Sequence, residues 1–202
     1  IGDQDFVWWA AESGFLDRAR SKLPSGAARL AGNFQATGHG GGRDLHYRTL
    51  HEQGVELLGR FVGGDDRRIH FADDLGASID FGDAKMREFW RYVEAYWSGA
   101  GVPPPSLEFP PPMRIEPRTE LDVKTDGLGA VIWTSGYRPD YGWVKLPVFD
   151  TMGFPVQTDG RTDVPGLYFM GVHWMRKAKS SILYGAGEDA ALLAEHIVEA
   201  RS

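Results

Sequence analysis

The stretch "YGAGEDA", residues 184–190, stands directly before the last helical pattern of the chain and limits its fold more than any other feature. Gly185-Ala186-Gly187-Glu188-Asp189-Ala190 has the spacing G-x-G-x-x-G/A of a dinucleotide-binding turn. That fingerprint works only inside a strand–turn–helix–strand unit, with an acid about 20 residues further on. Between Gly187 and residue 202 there is room for a helix and nothing more, so a βαβ unit is not expected to close here. The pattern reads instead as a helix start over 185–200, with Ala186, Ala190, Leu193, Ala194 and Ile197 facing inward. Glu188 and Asp189 are expected in the first turn, where the helix dipole favours acid. Free N–H groups at such a start suit the polar edge of a ligand, and they suit equally a small-residue contact with a sheet.

Upstream, residues 4–20 have helical spacing in Phe6, Trp9, Ala10 and Leu16, with a kink or break expected at Gly14. A glycine-rich loop, "TGHGGGRD", follows at 37–44. Two β-like runs, 54–63 and 67–72, flank the turn-like Gly63-Gly64-Asp65-Asp66 and predict a hairpin. The clearest helix is 83–98, where Met86, Phe89, Trp90, Val93, Tyr96 and Trp97 line one face behind an expected Asp83 N-cap. An aromatic stripe of this kind is core. Residues 102–118 hold most of the twelve prolines and cannot build helix or central strand. Beyond them, 129–137 and 166–172 read as buried strands, 143–149 as extended chain, and 155–162 as strand and turn. The fold class is α/β, divided into 1–104, a Pro-rich crossover at 105–118, and 119–202.

With a net charge of -6 and no basic run, a nucleic-acid surface is not expected. The absence of cysteine excludes disulfides, thiol redox catalysis and Cys-ligated metals within this chain. His39, His46 and His51 have no metal spacing, so no metal site is assigned. No apolar run approaches the roughly 20 residues that span a bilayer, and a cytoplasmic setting without a membrane partner is expected. The chain opens at Ile1 and runs straight into "DFVWWAAESGFLDRAR", which suggests the later part of a longer protein. Among candidate sites, Gly38–Asp44 lacks the Lys-Ser/Thr of a phosphate-binding P-loop but lets backbone approach a ligand, with Arg43 as charge partner. His173 and Trp174 precede Arg176, Lys177 and Lys179, a basic cluster after an apolar run, where open α/β sheets place ligands. No Gly-x-Ser-x-Gly elbow occurs. The residues by themselves support an α/β ligand-binding protein and no named reaction.

The segment "GAVIWTSGYRPDYGWVKLPVFDTMGFPVQTDGRTDVPGLYFMGVHWMRKAKSSILYGAGEDAALLAEHI" resembles the end of FAD-dependent, flavin-containing-monooxygenase-like flavoproteins, within the wider group of pyridine-nucleotide-disulfide-oxidoreductase folds. "WTSGY" is similar to the Ala-Thr-Gly-Tyr turn joining the FAD and NADP regions. "PGLYFMGV" resembles the segment beneath the flavin, and "SSILYGAGEDAALLAEHI" the closing helix whose N-terminus meets the isoalloxazine ring. Earlier, "FVWWAAESGFLDR", "GNFQATGHGGGRDLHYRTLHEQGVELLGR" and "RIHFADDL" resemble the later part of the NADP-binding region. Two positions depart from the pattern: Ser135 stands for a Thr, and Val172 for the acid that often holds the ribityl chain.

The resemblance implies the later part of a flavoprotein with two dinucleotide-binding domains, whose amino-terminal half, carrying both glycine fingerprints, is the missing partner. It implies FAD and NADPH as cofactors and oxygenation of a small organic substrate by molecular oxygen. FAD contacts fall to Gly136, Tyr137, Gly171, Val172, Ser181, Ile182, Leu183, Gly185 and Ala186, and the NADP side to Gly41, Gly42 and Arg43. Trp174 and Arg176 would border the substrate; no catalytic residue is assigned. Two alternatives stay open, a non-catalytic remnant serving as a binding or interaction module and an oxidase or reductase without oxygen insertion, and a homo-oligomer stays open as the assembly.

Overall fold

In the computed structural model, which describes residues 4–31, 36–37, 44–101, 103, 107, 109–137 and 139–200, helix α1 (Phe6–Glu12) is shorter than its periodicity predicts. Asp5 caps it by accepting from the Trp8 N–H at 2.8 Å. Gly14 ends it: at φ +75° the backbone enters the left-handed region that a glycine adopts without strain. A 3₁₀ turn at Phe15–Asp17 takes over from there.

The chain divides into two compact units, Ile1–Ser13 with Gly32–Gly136, and Gly14–Ala31 with Tyr137–Ser202. The Pro-rich stretch lies within the first.

In the first unit, α1 packs on the long helix α3 (Leu75–Gly99), bringing Phe6 to 4.6 Å from Phe89 and Trp9 to 5.6 Å from Trp97 between ring centroids. Phe89, Trp90 and Val93 are buried as their spacing predicts, together with Leu75 and Ile79, whereas Tyr96 stays 36% exposed. The helix begins eight residues before the expected start, so Asp83 is no cap. It accepts instead from both terminal nitrogens of Arg48 at 2.9 and 2.8 Å. Arg48 sits on α2 (Tyr47–Glu52), which His46 caps through Nδ1. It also donates to the Pro111 carbonyl at 2.9 Å and so fastens the Pro-rich stretch to two helices.

The expected hairpin is present as β3 (Phe61–Gly64) and β4 (Arg68–Phe71), antiparallel and bulged between Phe61 and Gly63. Its turn lies further on than predicted, because Asp65 Oδ1 accepts from the N–H groups of Arg67 and Arg68 at 2.8 and 2.7 Å. β5 (Glu120–Asp122) pairs antiparallel with β4 and sets Glu120 against Arg68 at 3.1 Å. Asp122 is held down to about pKa 2, first by the Thr125 N–H and then by Arg67 and the Lys124 N–H. The two-residue strands β1 (Ala36–Thr37) and β2 (Asp44–Leu45) also pair antiparallel.

Residues 129–137 do not form the expected buried strand. Val131, Ile132 and Trp133 are 53, 83 and 66% exposed, since among the described residues no strand pairs with their backbone.

The second unit is built on few regular elements. Val148, Phe154, Phe169, Val172 and Met175 form its core, with Tyr141 and Phe149 stacked at its margin. Asp159 (φ +52°) and Gly160 (φ +83°) make a two-residue turn between Thr158 and Arg161, which exchange N–H···O bonds at 2.9 Å. The 166–172 segment is half-right as predicted. Phe169 and Val172 are buried, but the backbone makes a single bridge, Tyr168 to Arg161, in place of a strand. Helix α4 (Leu183–Glu199) begins two residues early, so Glu188 and Asp189 lie beyond its first turn, and Ala194 is exposed while Gly185, Asp189 and Leu193 are buried. Among the described residues the architecture is mixed α/β with small antiparallel sheets, and no helix is long and apolar enough to cross a membrane.

Candidate functional site

The start of α4 is fixed from behind and open in front. Behind it, the 3₁₀ turn Ala178–Ser181 meets the returning segment 18–20 through an Ala19–Lys177 bridge, with Arg20 N to Arg176 O at 2.7 Å and Ala178 N to Arg18 O at 3.0 Å. Around this joint, cations and carboxylates alternate. Lys177 Nζ and Lys179 Nζ lie 3.0 and 2.8 Å from Asp17 Oδ1, and Lys179 Nζ lies 2.9 Å from Glu188 Oε2. Arg176 Nη1 donates to Asp189 Oδ1 at 2.9 Å, and its Nε lies 3.4 Å from Asp159. Hydrogen bonds from Lys177 and Lys179 hold the Glu188 carboxyl below the usual range. At Asp17 burial pushes the other way, and bonds from Lys179 and Lys177 outweigh it. Both lysines are raised, Lys177 chiefly by Glu188 and Lys179 chiefly by Asp17. Asp189 is 2% exposed, and its Oδ2 has no partner among the described residues.

Gly185 allows this seating. A Cβ there would lie 2.2 Å from the Lys179 carbonyl oxygen, so the helix presses its backbone directly on the preceding turn. The front is different. Ile182 and Leu183 are 44 and 95% exposed, and no side chain caps the helix. His173 bridges the preceding loop to this entrance. Its Nε2 donates to the Arg29 carbonyl at 2.7 Å, and its Nδ1 shares a hydrogen bond with Ser181 Oγ at 3.1 Å. Within that loop Gly171 adopts φ +73° with open space where a Cβ would stand. Trp174 adopts φ +54°, a conformation that costs a bulky side chain about 1–3 kcal/mol. The Arg18 guanidinium lies 5.4 Å from its ring centroid.

Of the residues named from sequence, Gly171, Val172, Trp174, Arg176, Ser181, Ile182, Leu183, Gly185 and Ala186 all belong to the second unit. Their situations differ. Val172 spends its side chain in the core, Gly185 is a packing contact, and Arg176 is enclosed by three carboxylates. Tyr137, in the same unit, is fully exposed. Gly136 belongs to the first unit and adopts φ +73°. Gly41, Gly42 and Arg43 lie outside the described residues. Sequence reasoning missed Asp17, whose bond to Lys177 spans 160 residues, and missed Arg20 and Arg29, which no motif marks. Among the described residues no group of three or more potential ligands is placed to hold a metal.

What the entrance to α4 can do is limited and definite. It offers backbone donors at the positive end of a 17-residue helix beside apolar side chains, which suits an electron-rich polar group.

Comparison with known proteins gives partial matches. The chain is 35% identical over 96 residues to a protein named uncharacterized oxidoreductase CzcO-like from Geobacillus kaustophilus (strain HTA426), covering 43% of this chain and 28% of that protein. It is 35% identical over 79 residues to the uncharacterized oxidoreductase CzcO of Bacillus subtilis (strain 168), covering 39% of this chain and 22% of that one. A Bacillus velezensis protein of the same name is 36% identical over 70 residues, covering 34% of this chain and 19% of its own length. The matched part is therefore between about a fifth and just over a quarter of each relative. No family model matches the chain, and no solved structure matches it.

Proposed function

We propose that this chain is the later part of an FAD-dependent oxidoreductase reduced by NADPH, and that the entrance to α4 receives the isoalloxazine ring. The observation that carries the proposal is the exposed Ile182–Leu183 edge at an uncapped helix start, clamped from behind by the Asp17–Lys177–Lys179–Glu188 network. The partial matches to proteins named oxidoreductases support the class. An apolar surface left open beside oriented donors fits a ring that is apolar on its faces and polar on one edge.

In this arrangement Leu183 and Ile182 would pack against the ring, and the N–H groups of the first turn of α4 would favour negative charge at its polar edge. Gly171 would let the backbone approach it. Gly185 seats the helix, while the ion-pair network fixes the direction of its axis. Gly136 and Tyr137 are assigned to FAD, and Gly41, Gly42 and Arg43 to NADPH, by the resemblance alone. When bound, the flavin would supply the electron and hydride chemistry that the side chains of this chain lack. Trp174, in a strained conformation next in sequence to His173, would bound the substrate.

The test is the absorbance spectrum of the protein produced from its complete gene. A flavin spectrum bleached by NADPH is expected; a colourless protein that takes up no added FAD contradicts the proposal. Product analysis then separates oxygen insertion, with an oxygenated small molecule, from an oxidase that releases peroxide alone.

A further inference from the structure

The second unit also holds a cleft of about 740 Å³, whose walls carry Arg20, Arg29, Arg176 and Lys177 against the single carboxylate of Asp159. Two of these cations are compensated: Arg176 by Asp159, Glu188 and Asp189, and Lys177 by Asp17 and Glu188. Arg20 is not, and Arg29 has only a loose ion pair with Asp150. Among the described residues Arg20 meets no carboxylate within ion-pair distance, and its guanidinium reaches only the Gln157 carbonyl at 3.5 Å. Arg29 is 5% exposed and lies over the Phe154 ring at 4.3 Å. Its Nε donates to the Gly26 carbonyl at 3.1 Å, but the Asp150 carboxylate stands 3.8 Å from Nη2, too far for a hydrogen bond.

A cation taken out of water is ordinarily paired, because its lost hydration must be replaced. Arg29 has only the Asp150 carboxylate, beyond hydrogen-bond reach, for this. Burial pulls its pKa down, the Arg20 charge pulls it further, and Asp150 only partly opposes them. Two guanidiniums that repel each other across an open cleft have the charge and the planar donors to hold one dianion between them. The cleft is several times the size such an anion needs and falls in the range of about 300–1,000 Å³ typical of small-molecule sites. Leu23 and Met175 offer apolar wall, and Ser21 and Thr158 add hydroxyls.

We infer that this cleft binds a small organic phosphate, with Arg20 and Arg29 on the phosphoryl group and the organic body against Leu23 and Met175. The site does not depend on what the entrance to α4 receives.

Calorimetric titration of the protein at low ionic strength tests it, with ribose 5-phosphate and inorganic phosphate as probes and ribose as control. Saturable binding of ribose 5-phosphate, tighter than that of inorganic phosphate and absent for ribose, is expected. Arg20→Met, at a half-buried position, is expected to weaken it at least tenfold while the circular dichroism spectrum is unchanged, and Arg20→Lys to recover part of the loss. Failure of ribose 5-phosphate to saturate, equal affinity for inorganic phosphate, or an unchanged affinity in Arg20→Met would overturn the assignment. A protein that binds ribose 5-phosphate yet shows no flavin spectrum refutes only the flavin proposal.

Discussion

At the scale of single residues, the glycine pattern "YGAGEDA" divides into positions with different work. Gly185 is a packing residue: a methyl group there would overlap the Lys179 carbonyl. Gly185→Ala is therefore expected to cost about 3 kcal/mol or more, beyond an ordinary overpacked core position, read as a lowered denaturant midpoint. An unchanged midpoint would show that α4 does not press on the preceding turn. Loss of a ligand in this variant would say nothing about contact, because the helix would shift first. Asp189 is next to it in consequence. Its replacement by Ala leaves Arg176 with Asp159 and Glu188, so the expected cost is a modest ~1–3 kcal/mol in the same measurement.

At the scale of elements, the ion pairs set how pieces far apart in sequence hold together, and their response to pH follows from direction alone. Asp83 is held below the usual carboxylate range by its bonds from Arg48, against the opposing effect of burial. Its folded pKa is depressed, so its contribution is complete above about 3.8 and is lost as pH falls through the lower, folded value. Glu188 and Asp17 behave alike at the α4 clamp, while Lys177 and Lys179, raised in the folded state, lose their contribution only at alkaline pH above about 10.5. Wild-type stability is thus expected to fall below pH 4 more steeply than that of Asp83→Asn, measured by urea unfolding across pH 2.5–6. Parallel curves would contradict the assigned pair. At neutral pH Asp83→Asn is expected to cost about 3 kcal/mol, since both partners are only 11% exposed.

These elements also show which features were legible in the sequence. The apolar spacing of Phe89, Trp90 and Val93 marked α3 and its core face, because a helix stripe repeats within a few residues. Its start was misplaced: Asp83 resembles a cap, and only the distant Arg48 shows it to be an ion-pair partner. The apolar run at 131–133 looked like a buried strand, yet burial needs a pairing neighbour that composition cannot reveal. At the site, the residues named from sequence lie on the contiguous stretch from Gly171 to Ala186, and those brought back by the segment 14–31 were missed, since no local pattern encodes a contact 160 residues away.

At the scale of the whole molecule, the matched segment is about a quarter of the relatives named oxidoreductases. Leu183 is the exposed apolar residue nearest the start of α4, and its side chain is almost wholly outside the core. Leu183→Glu therefore leaves the fold intact while placing a carboxylate where the polar edge of a reduced ring would gather negative charge. The decisive measurement is FAD occupancy of the purified complete protein, wild type against Leu183→Glu, from the bound flavin absorbance per chain in equilibrium dialysis across a range of FAD concentrations. The expected result is a flavin-loaded wild type and at least a tenfold weaker FAD affinity in Leu183→Glu at unchanged circular dichroism. Equal occupancy in the two proteins would contradict the placement of the flavin at the entrance to α4.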